Sequence, residues 1–324
     1  MTPWATSSRH WVSIEMKTQL YFFIGKGGVG KSTTSALTSI YFASNGHKTL
    51  LVSMDPAHNQ RDIFELDFSE KPKRVSNTLM VKEVDTDFWI EKYLKETTKQ
   101  IKDTYKYESA FNLQNYFNVL QFSPGLEEYA LILAFGDTLH KYGDQDFIVF
   151  DMAPTALSLR FFSLPFITEI WLEELLKLRS QIYKKKEIIS KIKIAGKEIE
   201  QDRVKAKLES MIGEYENLRQ EFLSDTTRVN LVMNNDKLSF SEAYRIRQKL
   251  ADIGISIDRI VINKLKEDES TPEIETEFKQ QKIGRFPMAP EGLCGLFALE
   301  KYIEANPHAF QQISALRQDS HPSP

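Results

Sequence analysis

Cysteine is nearly absent from this chain: of 324 residues only Cys294 carries a thiol. One thiol excludes an intrachain disulfide framework and any all-cysteine metal site within one chain, and it fits a reducing compartment best. Long apolar runs are missing too, since no stretch reaches the ~18 uninterrupted residues that a membrane-spanning helix needs. Basic surplus is also lacking. With 42 Lys and Arg against 45 Asp and Glu, the formal charge is −3, so nucleic acid is not an expected partner. Residues 1–16 lack the basic-then-apolar order of a secretory signal and read as a disordered extension, with Met16 as an alternative start. The polar residues 319–324 read as a frayed tail. The six histidines are scattered without metal-ligand spacing, and no fixed-period repeat or low-complexity segment occurs.

What is present is an alternation of short β-rich apolar runs with helical patterns, which predicts βαβ units around a parallel sheet. Leu20–Ile24, Leu50–Met54, Leu79–Val84, Phe147–Phe150, Val229–Met233 and Arg259–Ile262 read as strands. Lys31–Ser44 reads as a helix closed by Asn45-Gly46, and Phe240–Leu250 as a crossover helix. Two regions interrupt the alternation. Residues 88–140 are helical and rich in aromatics; 165–223 are highly charged and nearly free of Gly and Pro. Trp171, Leu175, Leu178 and Ile182 form one apolar stripe, and Val204, Leu208, Met211, Tyr215, Leu218 and Phe222 a second. The pattern breaks near Ala195-Gly196, so a helical hairpin is expected. The fold class is therefore α/β, a doubly wound and mostly parallel sheet, as one domain over 17–318 with a helical subdomain from about 88–140 and 165–223.

Gly25–Ser32 matches G-x-x-x-x-G-K-[ST] between an apolar strand and a helix, the context a phosphate-binding loop requires. Backbone N–H groups of Gly25, Lys26, Gly27, Gly28, Val29 and Gly30 can turn inward as a nest, and the helix N-terminus adds its dipole. Lys31 is assigned to the β- and γ-phosphates of ATP, the Ser32 hydroxyl to Mg2+, and Thr33 to the α-phosphate. Asp55 follows the second strand, where a water-positioning group or general base belongs, and Pro56 fixes the loop after it. Phe147-Ile-Val-Phe-Asp151 is a buried-type strand ending in an acid, a Walker B arrangement that assigns Asp151 to the Mg2+ shell.

The form GKGGVGK, with Lys26 directly after the first glycine, resembles the deviant Walker A ATPases. Asp55-Pro-Ala-His58-Asn59 is similar to switch I of one branch, the arsenite-pump and tail-anchored-protein targeting (ArsA/GET) family. Asp151-Met-Ala-Pro-Thr155 through Leu164-Pro165 resembles that family's switch II, although Ala156-Leu157 stands where the family has Gly-His. Pro124-Gly125-Leu126-Glu127-Glu128 matches a further family segment. The resemblance implies a homodimer in which Lys26 reaches the partner's nucleotide in the manner of an arginine finger. It also implies that Glu242, in a helix opened by Ser241-Glu242-Ala243, lies near nucleotide. Asn263, ending the strand Arg259–Ile262, is implied to contact adenine, and Phe286-Pro287 to flank it. The catalytic pair is thus Asp55 and Lys26, and the cofactors are ATP and Mg2+.

Other absences separate members of that family. The chain has no CxxC pair, so no zinc is expected between subunits, and one thiol cannot build a site for As(III). Nor can it supply the two ligands per subunit of a nitrogenase-type cluster. Cys294, with apolar neighbours, reads as a buried packing residue. The C-terminal segment, interrupted by Pro307, makes no membrane anchor of the Min type. Two uses of hydrolysis remain, both cytoplasmic. One is handling of hydrophobic transmembrane segments of client proteins in a groove made by the helical insertions. The other is energising a membrane-protein partner such as a transporter; a Min/Par-like positioning ATPase is a further alternative. The apolar stripes fit a client groove, and they fit equally an intramolecular hairpin with Lys and Glu on its solvated face.

Overall fold

In the computed structural model, which describes residues 18–104, 125–192 and 203–314, the run Tyr21-Phe22-Phe23-Ile24 is the middle of a strand, β1 (Gln19–Gly25), buried on both faces. A continuous apolar run is what a central strand covered by helices on both sides requires. The other strands are β2 (Thr49–Ser53), β3 (Lys73–Arg74), β4 (Leu79–Glu83), β5 (Phe147–Asp151), β6 (Thr227–Asn234), β7 (Arg259–Leu265) and β8 (Lys282–Pro287). They form one eight-stranded sheet in the order β3-β4-β2-β5-β1-β6-β7-β8. All neighbours are parallel except β3, which runs antiparallel to β4. The expected α/β class, a doubly wound and mostly parallel sheet with helices on both sides, is what the chain adopts.

The helices are α1 (Lys31–Ser44), α2 (Asn59–Phe64), α3 (Thr86–Thr104), α4 (Leu126–Tyr142), α5 (Thr155–Ile192), α6 (Arg203–Leu223), α7 (Lys237–Asp252), α8 (Pro272–Glu277), α9 (Leu296–Ala305) and α10 (Pro307–Ser314). Alternation along β1 feeds two cores. Tyr21 and Phe23 enter a cluster with Leu37, Ile40 and Phe42 of α1 and Phe310 of α10. On the opposite side Phe22 stacks on Phe150 of β5 at 4.8 Å between ring centroids, and Phe135 of α4 meets Phe150 edge-on at 5.2 Å.

Winding reverses between β1 and β5: β1 leads to β2 beyond β5, while β5 leads to β6 beyond β1. The carboxyl ends of these two neighbours are therefore where a crevice opens in such a sheet. The chain at the carboxyl ends of β1, β2, β5 and β7 carries the residues described below.

By contact density the described chain divides into two compact units, one of 162–192 and 203–224 and the other of the remainder, including α3 and α4. Within the first, Phe162 and Phe222 meet edge to face at 5.1 Å, and Arg219 pairs with Glu169 at 2.9 Å. Tyr215, Leu218 and Phe222 of the α6 stripe are buried. The α5 stripe is not: Trp171, Leu175, Leu178 and Ile182 are exposed, Trp171 at 66%.

Several boundaries differ from those expected. β2 starts and ends one residue earlier, β6 is longer at both ends, and α7 begins at Lys237 rather than Phe240. Neither β3 nor β8 was expected. β3 is two charged residues on an edge, and β8 buries only alternate side chains. The expected extension before residue 17, the tail after 318 and the break at Ala195-Gly196 lie outside the described residues.

Truncating Phe22 tests the aromatic core directly. Phe22→Ala should destabilise the chain by about 3–5 kcal/mol, read as a lower urea midpoint with unchanged slope. A loss under about 1 kcal/mol would show that the sheet does not depend on this packing.

Candidate active site

The loop from Gly25 to Gly30 connects β1 to α1 and makes two close approaches that only glycine permits. A Cβ on Gly25 (φ 150°) would stand 2.2 Å from the Val232 carbonyl oxygen, and one on Gly30 (φ 94°) would stand 2.2 Å from Asn263 Nδ2. At Gly27 and Gly28 the same position meets nothing within 4 Å, so the loop is clamped at both ends and open between them. Gly30 is the N-cap of α1, without a side-chain cap and without an acid in the first turn. The first N–H groups of α1 are thus left for an anion, the arrangement that suits a phosphate.

Lys31 is buried, and its Nζ donates to the Lys26 carbonyl at 3.4 Å. Burial lowers its pKa, while the charges of Asp151 and Asp55 act in the opposite sense. Asp151, fully buried at the end of β5, is pushed up to about 6 by desolvation. Hydrogen bonds from Gln60 and Ser32 and the Lys31 charge oppose that rise. Asp151 Oδ1 is buried without a hydrogen-bond partner. A buried acceptor beside a serine hydroxyl and a lysine, under an uncapped helix start, fits the Mg2+·ATP donor set: Ser32 and Asp151 toward the metal, Lys31 and the loop amides toward phosphate.

Asp55 lies just after β2, with 7% of its surface exposed. Its Oδ1 accepts from the Ala57 N–H at 3.0 Å and its Oδ2 from Asn59 Nδ2 at 3.4 Å. In this state the carboxylate caps its own loop. That loop passes through His58 at φ 51° and is pinned by Glu83, which pairs with His58 Nδ1 at 3.6 Å and accepts the Arg61 N–H at 3.1 Å. Burial pushes the Glu83 carboxyl up.

Asn263 does not end its strand. It sits inside β7 at an irregularity between Ile262 and Leu265, with Lys264 at φ 57°. Such bulges redirect side chains next to sites. Here Asn263 Nδ2 donates to the Val29 carbonyl at 2.8 Å and Lys264 Nζ to the Gly28 carbonyl at 3.0 Å. Asn263 is therefore a strut under the phosphate loop. Pro287 is at the carboxyl end of β8, opposite Leu265, and its carbonyl accepts from Tyr302 Oη at 2.6 Å.

Glu242 was expected at a helix start, but α7 is opened by Asp236, whose side chain accepts the Leu238 and Ser239 N–H groups. Glu242 falls in the second turn and pairs with Arg245 at 3.5 Å. The Asp236 pKa is lowered chiefly by the Ser239 N–H bond, with the Lys26 charge contributing. Cys294 is exposed rather than buried. It stands between Gly292 and Gly295 in a turn, while Leu293 and Leu296 take the inward positions. Thr33 is half-buried in the first turn of α1.

Gln60, Asp236 and Lys264 were not singled out from sequence. Gln60 had a usable signal, being the polar member of a Gln60-Ile63-Phe64 set at helical spacing. Asp236 precedes Lys-Leu-Ser as an N-cap residue does. Lys264 had no signal, because the bulge that aims it depends on β8.

Asp151 links this geometry to stability. An acid whose folded pKa lies above its unfolded value of 3.8 holds its proton more tightly in the fold. Its contribution is complete below the unfolded value and is lost as pH rises to about 6. Without nucleotide or metal, Asp151→Asn should therefore melt higher than wild type at about pH 8, by up to about 3 kcal/mol, with the gap closing toward about pH 4. A gap independent of pH would contradict this origin.

Comparison with known proteins gives the family. Residues 18–305 match the model of the ArsA family, described as "Anion-transporting ATPase". The chain is 30% identical over 250 residues to "Putative arsenical pump-driving ATPase 2" of Aquifex aeolicus, covering 76% of this chain and 80% of that protein. It is 27% identical over 321 residues to "ATPase get3" of Schizosaccharomyces japonicus, covering 92% and 95%. With "ATPase GET3C" of Arabidopsis thaliana it shares 30% identity over 292 residues, 85% and 72%. A clamped phosphate loop, a lysine facing a buried acid and a match across nearly the whole described chain lead to one assignment: this chain belongs to the anion-transporting (ArsA) ATPase family and is an ATP-hydrolysing enzyme.

Proposed function

We propose that the chain is a cytoplasmic, Mg2+-dependent ATPase that works as a homodimer and uses its nucleotide state to handle hydrophobic segments of membrane-protein clients. The observation that carries the client reading is the exposed face of α5, where Ile167, Ile170, Trp171, Leu175, Leu178 and Ile182 recur at helical spacing in solvent. Scattered exposed apolar residues need no explanation, but a contiguous row is the mark of an interaction surface. The same helix begins four residues beyond Asp151, so the acid at the nucleotide site and the apolar row are joined by one element. Among the described residues no helix is long and apolar enough to cross a membrane.

Within the site, Lys31 and the loop amides bind and orient the phosphates. Mg2+, held by Ser32 and Asp151, would neutralise charge on the phosphate oxygens. Asp55 turns from the Ala57 N–H to orient the attacking water. Lys26, half-buried on the rim of the loop, is the residue assigned to the partner's nucleotide, delivering positive charge where the transition state gathers negative charge. Glu242, Asn263 and Pro287 are assigned to the nucleoside end. For Asn263 this makes use of its remaining amide oxygen, because Nδ2 is occupied by Val29.

The name of the Aquifex relative suggests a pump-driving role. A single exposed thiol per chain cannot surround a trivalent arsenic ion, which favours the client reading over arsenite.

Asp55→Asn should lower turnover by at least about 100-fold while leaving ATP affinity within about threefold. Loss of ATP binding would remove Asp55 from catalysis. A transmembrane-helix peptide should bind and change the rate of ATP hydrolysis, and Ile170→Ser with Trp171→Ser should abolish both effects. A peptide that neither binds nor alters turnover would contradict the client role.

A further inference from the structure

Gln60 is fully buried on α2, on the same face as Ile63 and Phe64. An apolar residue would meet the packing needs of that face, and a buried primary amide is costly unless its hydrogens are used. They are used on two segments at once, β5 and α1. Gln60 Nε2 donates to Asp151 Oδ2 at 2.9 Å on β5 and to the Ser32 carbonyl at 3.1 Å on α1, and it lies 3.4 Å from Ser35 Oγ. On the other side of the same two groups, Gln60 Oε1 and Asp151 Oδ1 are buried without a hydrogen-bond partner. The amide thus ties down one oxygen of the carboxylate and leaves the other free.

We propose that Gln60 is a positioning residue for the metal site: its amide fixes the Asp151 carboxylate through Oδ2 so that Oδ1 faces the Mg2+ shell, and it binds α2 to the phosphate-loop helix. The inference rests on reading this site as one for Mg2+ and ATP. A carboxylate oriented by a neighbour binds a metal shell better than one free to rotate, because the ordering cost is met before the metal arrives. The link also has a mechanical consequence. Asn59, the neighbour of Gln60, bonds Asp55, so a shift of α2 on nucleotide binding alters the water-orienting acid and the metal-facing acid together.

The test follows the affinity of a fluorescent ATP analogue as Mg2+ is titrated, with the EDTA affinity and the melting temperature as controls. Gln60→Met keeps the volume and removes the donor; Gln60→Leu restores an apolar face if the methionine variant folds poorly. Both should need about tenfold more Mg2+ for the half-maximal gain in affinity, with metal-free affinity unchanged. A Mg2+ requirement equal to wild type in either folded variant overturns the proposal. So does an equal loss of nucleotide affinity with and without Mg2+, which marks a packing role only. If the wild-type chain itself gains no affinity from Mg2+, the metal-site reading fails, and this outcome is distinct from the other two.

Discussion

The site is organised around a carboxylate held where water cannot reach it. Asp151 is fully buried at the end of β5, and burial drives its pKa up to about 6. A charge in that position is tolerated only when its partners are in place, and those partners come from different parts of the chain. Lys31 and Ser32 arrive on α1, and Gln60 on α2. The sheet order sets β5 beside β1, so the acid and the phosphate loop share one crevice. Stability is given up to hold an ionised group for chemistry, as functional sites commonly require.

The phosphate loop depends on a second constraint, delivered from the far side of β6. The irregularity in β7 aims Asn263 and Lys264 at the Val29 and Gly28 carbonyls. Gly30 has no side chain because Asn263 occupies its place. The loop is thereby held by strands that are themselves packed, while the Asp55 loop hangs on His58 at positive φ and on a buried Glu83. A phosphate loop clamped by packed strands next to a loop held by side-chain contacts suits an enzyme that responds to its nucleotide.

Much of this was legible in the residues. The bounds of α1 and the places of the main strands along the chain follow from local signals that tertiary packing reinforces. What escaped depends on partners distant in sequence. β3 and β8 are edge strands with charged or alternating residues, stabilised mainly by β4 and β7. Asn263 reads as a strand end until pairing with β8 extends β7 past it. Cys294 has apolar neighbours, yet they take the inward positions and leave it in solvent. Gln60 looks like an ordinary polar helix residue unless its spacing with Ile63 and Phe64 is noticed. The α5 stripe was visible as a period, but periodicity carries no information on whether a face is covered.

Among the described residues of the phosphate loop, Lys26 is a cation whose use the single chain does not explain. Lys31 faces the buried acids and Lys264 is spent on the Gly28 carbonyl, whereas Lys26 stands at the rim, its charge contributing to the lowered pKa of the helix cap Asp236. A site completed by Lys26 from a second chain accounts for that position and for the family resemblance of the loop. Phosphate release from ATP with Mg2+, followed over a dilution series of the wild-type chain, tests this most directly. A shared site predicts a rate per chain that climbs with concentration and levels off. A rate per chain that stays constant down to the lowest concentration would contradict it, and no phosphate release at any concentration would contradict the site itself.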